Sequence, residues 1–383
     1  MEELNLNSLR EEINSIDEQM VELFKRRMDI AASVAEYKKQ NGLPVLDAAR
    51  ERRLLSKICE LAGDDMENYA LTLYQTMLDV SRSYQHKRIN PTSEMYSSIE
   101  EAIAKTDKLF PSRAKVACQG VEGAYSQIAA SKLFDIPQIK YYKGFGDVFS
   151  AIENGECKYG VLPIENSTAG SVKKVYELML KHNFHIVKSL RLKIDHNLLV
   201  KPGVKMCKIN EIFSHEQAIN QCAGFLQTLE GVKVTIVENT AVAAQMVANS
   251  DRRDVAAISS RSCAEIYGLD NIASSIQDMG NNHTRFICIS KDEEIYPGAD
   301  KITLMLVTRN RPGELYRVLS CFNALGVDMT KLESCPIPDR DFEFMFYFDF
   351  TVSVYSPKLK ELLSELEARG ERFKLLGAYT EII

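Results

Sequence analysis

The chain has 383 residues, 45% hydrophobic and 26% charged, which is room for two or three domains with ample cores. No apolar run is long enough to span a bilayer, and Met1-Glu2-Glu3-Leu4-Asn5 lacks the basic and apolar regions of a secretory signal, so a soluble cytoplasmic protein is expected. A formal net charge of −6 argues against a general nucleic-acid binder, and the nine cysteines and six histidines fall in neither metal-type nor disulfide-scaffold spacings, so free thiols, no metal and no cofactor are expected.

Leu6, Leu9, Ile13, Ile16, Met20, Leu23, Arg27, Ile30, Val34 and Tyr37 recur at alternating spacings of three and four, which predicts one long helix whose seam faces another helix. Arg27 interrupts that seam. Burying an unpaired guanidinium costs on the order of several kcal/mol, so Arg27 meets an anion or opens the seam to water; a charge that sets coiled-coil register is the alternative. Lys38 projects from the same face at about 16 Å of axial separation, so both cations can converge on one small anion. Arg10 lies about 25 Å before Arg27 along the axis, too far to share that ligand within one chain. An Arg10 that binds a similar ligand does so in a neighbour's site, which implies a symmetric homodimer of intertwined helical hairpins.

Asp47 caps a second, shorter helix that carries Glu51 in its first turn and Leu54, Leu55, Ile58 and Leu61 beyond. A third runs from about Asn68 to Arg88, and its inward row of Tyr74, Met77 or Leu78, Ser81 and Gln85 mixes polar with apolar groups, as a lined pocket does. These helices make a first domain over 1–90. A polar linker follows over 91–113, in which Ile99, Ile103 and Leu109 allow a short helix.

From Lys115 onward short β-rich runs alternate with helical patterns: 115–117 then 125–134, 139–143 then 146–154, 159–164 then 171–182. This predicts βαβ units and a largely parallel sheet. An extended stretch, 186–200, can carry the chain to a second lobe with helix over 211–229, strand over 232–237, helix over 240–248 and strand over 255–259. The run 285–290 then returns to the first lobe. A domain over 114–292 with two α/β lobes and a ligand-binding cleft between them is expected.

Four segments sit at strand ends, where such folds place chemistry. Gly120-Val121-Glu122-Gly123-Ala124-Tyr125-Ser126 opens a helix and would offer backbone N–H groups and the Ser126 hydroxyl to a carboxylate. Pro163-Ile164-Glu165-Asn166-Ser167 follows a strand, Ser214-His215-Glu216-Gln217 with Gln221 forms a polar helix face, and Asn282-His283-Thr284-Arg285-Phe286 leads into an apolar strand. Each alone reads equally well as an ordinary turn, a solvated face or a surface charge. The tail over 300–379 reads as βαββαβ, a ferredoxin-like unit.

Taken in order, Pro-Ile-Glu-Asn, Ser-His-x-Gln and Thr-Arg-Phe resemble the prephenate dehydratase family, and the first ninety residues resemble the all-helical chorismate mutases fused to it. The resemblance implies a multidomain protein: an all-α chorismate mutase domain, a two-lobed α/β, periplasmic-binding-protein-like dehydratase domain and an α+β ferredoxin-like ACT domain. It also implies chorismate and prephenate as substrates and phenylalanine as effector. In the mutase, Arg27 and the partner's equivalent of Arg10 would clamp carboxylates, Lys38 and Gln85 would donate to the ether oxygen, Glu51 would accept the ring hydroxyl, and Asp47 and Ser81 would complete the site. In the dehydratase, Thr284 is the essential residue, with Ser126, Glu165, Asn166, Gln221 and Arg285 around the substrate. In the ACT domain the loops at Gly313, Leu315, Glu333 and Ser334 would hold phenylalanine; Cys335 stands where the family has arginine, and Glu314 where it has a small residue. A different reading is a non-enzymatic amino-acid sensor with a two-lobed binding core, since fold alone does not fix function.

Overall fold

The computed structural model describes residues 5–89, 93–307, 313–336, 344–368 and 372–383. It divides into two compact units, Met1–Ser98 with Met305–Phe373 and Ile99–Leu304 with Lys374–Ile383, so residues of the tail fall in both.

The expected long helix is α1 (Leu6–Gln40), started by the Asn5 side chain, which accepts from Asn7 N at 3.0 Å. Next come α2 (Ala48–Ala62), capped by Asp47 accepting from Arg50 N at 2.9 Å, and α3 (Glu67–Ile89). Both α1 and α2 pack on α3. Met28, Ala31 and Ala35 bury the C-terminal half of α1, but its N-terminal half leaves Leu6, Ile13 and Leu23 60%, 56% and 64% exposed. An apolar stripe of that length is uncommon on a protein surface. Helix α4 (Glu94–Lys105) lies inside the expected linker.

In the second unit, β1 (Arg113–Gln119), α5 (Tyr125–Leu133), β2 (Ile136–Tyr142), α6 (Phe145–Glu153), β3 (Tyr159–Asn166), β4 (Gly170–Ser171) and α7 (Lys173–Lys181) follow the expected alternation. Strand β5 (His185–Lys193) leads into the second lobe: β6 (Asn197–Val200), β7 (Glu211–Ser214), α8 (Glu216–Gln221), α9 (Ala223–Gln227), β8 (Lys233–Ile236), α10 (Thr240–Asn249), β9 (Val255–Ser259), α11 (Arg261–Tyr267) and β10 (Asp270–Ala273). The chain returns as β11 (His283–Ser290).

Two expectations are corrected. The helix over 211–229 begins as a strand, because Ile212 is wholly buried in the sheet and Ser214 Oγ donates to Ile258 O at 2.8 Å, which β7 can do only in extended form. The first-lobe sheet is mixed. Its order is β16-β5-β11-β3-β1-β2, with β4 beside β3; β1 is parallel to β2 and β3, whereas β11 is antiparallel to β3 and β5. Having crossed to the other lobe, the chain comes back from the opposite end, so β11 runs against its neighbours. The second lobe is a five-stranded sheet, β10-β6-β9-β7-β8.

The tail contains β12 (Lys301–Val307), α12 (Glu314–Leu325), β13 (Asp328–Pro336), β14 (Phe344–Thr351), α13 (Pro357–Ala368) and β15 (Arg372–Tyr379), in the sheet order β13-β14-β12-β15. Within the expected tail, residues 308–312, 337–343 and 369–371, among them Arg311, Pro312, Ile337, Phe342 and Arg369, lie outside the described residues. Helix α3 packs against α12 and α13, where Ser83 Oγ donates to Glu365 at 2.8 Å. The last strand, β16 (Glu381–Ile382), was not expected and pairs in parallel with β5. Among the described residues no helix is long and apolar enough to cross a membrane.

Candidate active sites

Two clusters of polar side chains gather most of the residues singled out above. The first lies on the three N-terminal helices. Arg27 is half-buried on α1, burial lowers its pKa, and its Nη1 has no hydrogen-bond partner. Lys38 donates to Val45 O at 2.6 Å; burial lowers its pKa too, against the opposing pull of Asp47 and Glu51. On α3, Gln85 Nε2 reaches Ser81 Oγ at 3.4 Å while Gln85 Oε1 is buried and unpartnered. Asp47 serves as the cap of α2, and the Arg50 amide holds its carboxyl below the usual carboxylate range.

Arg82, not singled out in the sequence, bridges Glu51 and Asp79. It thereby fixes the Glu51 carboxylate in place. Arg10 is exposed on the N-terminal half of α1 and does not join this cluster within one chain. A buried guanidinium N–H and a buried amide oxygen without partners cost about 1–3 kcal/mol each. An anionic group would supply the acceptor that Arg27 Nη1 lacks, and a hydroxyl on the same ligand the donor that Gln85 Oε1 lacks.

The second cluster crosses from the first lobe to the second. Strand pairing sets Thr284 of β11 directly opposite Asn166 of β3. Asn166 Nδ2 donates to Thr284 Oγ1 at 2.8 Å and to Asn282 Oδ1 at 2.8 Å. Asn282 Nδ2 donates to Gln221 Oε1 at 2.8 Å, and Gln221 Nε2 donates to Thr168 Oγ1 at 2.7 Å. Thr168 Oγ1 closes the ring by donating to Asn166 Oδ1 at 2.7 Å. His196, at the crossing between lobes, adds its Nε2 at 2.9 Å from Gln221 Oε1. Neither Thr168, Asn282 nor His196 was assigned a role from sequence; Asn282 is the one with a local signal, two residues before Thr284.

Because successive residues of a strand face opposite sides, Glu165 and Arg285 point away from this ring. They face the other side of the sheet, where Arg285 lies 3.8 Å from Glu165 and 3.8 Å from Glu381. Glu381 also meets Lys301 and Arg191, each at 2.8 Å. Burial alone would raise the Glu381 pKa, but these three cations more than offset it and the net shift is downward. Arg285 is buried, not a surface charge, and its geometry is that of a structural ion pair behind Thr284.

Ser126 is buried in the first turn of α5. In the glycine turn before it, Gly120 N bonds Tyr142 O at 2.8 Å, Ala124 N bonds Val121 O at 3.1 Å, and Gly123 N is taken by Gln127 Oε1. Gly123 also serves packing. Its φ is 88°, and a Cβ there would come within 2.6 Å of Cys263 Sγ on the second lobe. In the tail, Gly313 (φ 85°) and Leu315 stand at the start of α12, while Glu333 and Ser334 lie on β13 beside buried Cys335. Among the described residues no group of three or more His, Cys, Asp or Glu could hold a metal ion.

Comparison with known proteins follows the same division. The chorismate mutase type II family model matches residues 9–86, and the prephenate dehydratase model matches residues 116–294. A bifunctional chorismate mutase/prephenate dehydratase of Escherichia coli (strain K12) is 30% identical over 384 residues, covering 98% of this chain and 96% of that protein. Among solved structures, GqqA, described as a novel type of quorum quenching acylase, superposes with a TM-score of 0.63 at 29% identity over 69% of this chain and 97% of its own. A prephenate dehydratase from Arthrobacter aurescens in complex with L-Phe gives a TM-score of 0.63 at 24% identity over 70% of this chain and 90% of its own.

Proposed function

We propose that this chain, which belongs to the bifunctional chorismate mutase/prephenate dehydratase family, works its two reactions at the two polar clusters just described and senses phenylalanine in its tail. The chain rearranges chorismate to prephenate and converts prephenate to phenylpyruvate, the committed steps of phenylalanine biosynthesis. The observation that carries the assignment of sites is the contrast between an unsatisfied guanidinium donor and an unsatisfied amide acceptor in the helical part and a satisfied amide ring around Thr284 in the two-lobed part.

Chorismate is a dianion that rearranges pericyclically, so the protein needs to hold the reactive conformer and stabilise charge growing on the breaking ether. Arg27 takes one carboxylate with the fork that lysine lacks, and Arg10 of a second copy takes the other. Lys38 and Gln85 face the ether oxygen, Glu51 accepts the ring hydroxyl, and Asp47 and Ser81 complete the walls. The exposed seam on the first half of α1 supports a homodimer in which each long helix serves both sites.

Prephenate loses carbon dioxide and hydroxide, and the demand falls on the departing hydroxide. Thr284 Oγ1 already accepts from Asn166, so its O–H is left to hydrogen-bond and orient that leaving group while a relayed proton completes the water. Asn166 and Gln221 line the site with Ser126, while Glu165 and Arg285 act from behind the sheet. The βαββαβ tail reads as an ACT domain, and the L-Phe held by the Arthrobacter protein supports phenylalanine as its ligand.

The direct experiment incubates the purified chain with chorismate and follows chorismate loss and phenylpyruvate formation, with and without phenylalanine. Phenylpyruvate from chorismate alone, inhibited by phenylalanine, is the expected outcome. Prephenate accumulating would remove the second site, and turnover indifferent to phenylalanine would remove the effector.

A further inference from the structure

The amide ring around Thr284 has one polarity only, and two backbone N–H groups set it. Asn166 Oδ1 accepts from Thr168 N at 3.1 Å and from Ala169 N at 2.9 Å, so the oxygen of that side chain is identified without choosing any tautomer. Asn166 therefore presents its NH2 to Thr284 and Asn282, which makes the facing atom of Asn282 its oxygen. Asn282 then presents its NH2 to Gln221, which makes the atom of Gln221 between Asn282 and His196 an oxygen as well. An oxygen 2.9 Å from His196 Nε2 requires a proton on that nitrogen.

From this geometry we infer that His196 is a positioning residue for dehydration, holding the Nε2–H tautomer and, with Asn282, locking the Gln221 amide in the orientation the Thr284 ring requires. The inference rests on the reading of the Thr284 cluster as the dehydratase site. A flipped Gln221 would turn its NH2 toward two donors, so the lock acts by repulsion as well as by attraction.

The ring of His196 is itself held. Its backbone N donates to Gln277 Oε1 at 2.9 Å and its O accepts from Ile276 N at 2.9 Å. Tyr125 of the first lobe stands edge-on at 6.5 Å between centroids and anchors its hydroxyl on Asp195 O at 2.7 Å. His196 Nδ1 is buried without a protein partner, which fits a ring whose proton sits on Nε2. Because His196 lies where the chain crosses between lobes, the same contact ties Gln221 of the second lobe to the first-lobe residue that does the chemistry.

Four variants test this on prephenate turnover in the full chain, with mutase activity of the same preparation as the control for folding. In His196→Leu, kcat should fall about tenfold to a hundredfold with KM little changed. His196→Gln, which places an amide N–H near the former Nε2, should stay close to wild type. The double variant His196→Leu/Gln221→Leu should be no slower than Gln221→Leu alone, because the histidine acts through the glutamine. Losses that multiply in the double variant, or a glutamine that rescues nothing, would overturn the inference, as would His196→Leu at the wild-type rate. Gln221→Leu at the wild-type rate would instead reject the site itself.

Discussion

The two polar clusters of this enzyme satisfy their hydrogen bonds in opposite ways. In the helical site, Arg27 Nη1 and Gln85 Oε1 are buried without partners, whereas in the two-lobed site Asn166, Asn282, Gln221 and Thr168 close a ring on themselves. The difference follows from the chemistry. A pericyclic rearrangement needs polar groups that the substrate's own carboxylates and hydroxyl complete, so such a site carries incomplete bonding among its own side chains. Assisting a leaving hydroxide needs one hydroxyl aimed with accuracy, and a ring of fixed amides supplies that aim before substrate arrives.

Replacing Arg27 tests the first half of the contrast and has the largest expected effect. Arg27→Leu should lower mutase kcat/KM by about a thousandfold, the loss expected when one partner of a desolvated carboxylate pair is removed. Its thermal stability should stay level or rise, because an apolar residue re-enters the seam of α1 and an unpartnered guanidinium leaves. A stable variant with full mutase activity would refute the clamp. Dehydratase activity on added prephenate should be unchanged.

Thr284→Ala tests the second half and should cost about a hundredfold or more in dehydratase turnover, comparable to loss of one oxyanion-type donor. Mutase activity should survive, and Thr284→Ser should recover part of the rate because the hydroxyl returns. Equal loss of both activities would point to misfolding or a shared site, and the contrast between the clusters would collapse.

What could be read before the fold was known depends on how far apart the partners lie in the chain. The long helix α1 was legible because its seam is local and repeats for ten positions, and Arg27 stood out against that regularity. Strand β7 was missed because four residues, two of them polar, run without a break into the helical pattern of α8. The direction of β11 depends on an excursion through a whole second lobe, which no local pattern records. Arg82, His196 and Glu381 escaped for the same reason: their partners are 31, 25 and up to 192 residues away. Arg285 was legible as a motif residue, yet its orientation behind the sheet came only with the register that sets it beside Glu165.

Glu381 offers a smaller test of whether the dehydratase ring is braced from behind. Glu381→Gln leaves Arg191, Arg285 and Lys301 with less counter-charge on the far face of β5 and β11. It should cost about 2 kcal/mol of stability in chemical denaturation, the scale for a partly buried charged partner left unpaired. Dehydratase activity should fall more than mutase activity, because β11 carries Thr284. Equal stability to wild type would mean that solvent already screens the cluster.

The smallest expected effect separates the contributions of His196 and Glu381 by pH. Burial lowers the His196 pKa below its ordinary value near 6.5, so the unfolded chain takes up the proton first as pH falls. Stability is therefore full above about pH 6.5 and is lost progressively as pH falls toward the lower folded pKa. His185, lowered by burial in the same sense, contributes over the same window, so wild type and His196→Gln should both lose stability there, the variant with the shallower slope. Glu381 is lowered as well, and for a carboxylate the stability it contributes is lost below its ordinary range, in a second and more acidic step. Denaturant midpoints measured from pH 8 to pH 3 should show the two steps. His196→Gln should flatten the first and Glu381→Gln the second, and a wild-type slope unchanged by His196→Gln would mean that the imidazole titrates alike in the folded and unfolded states.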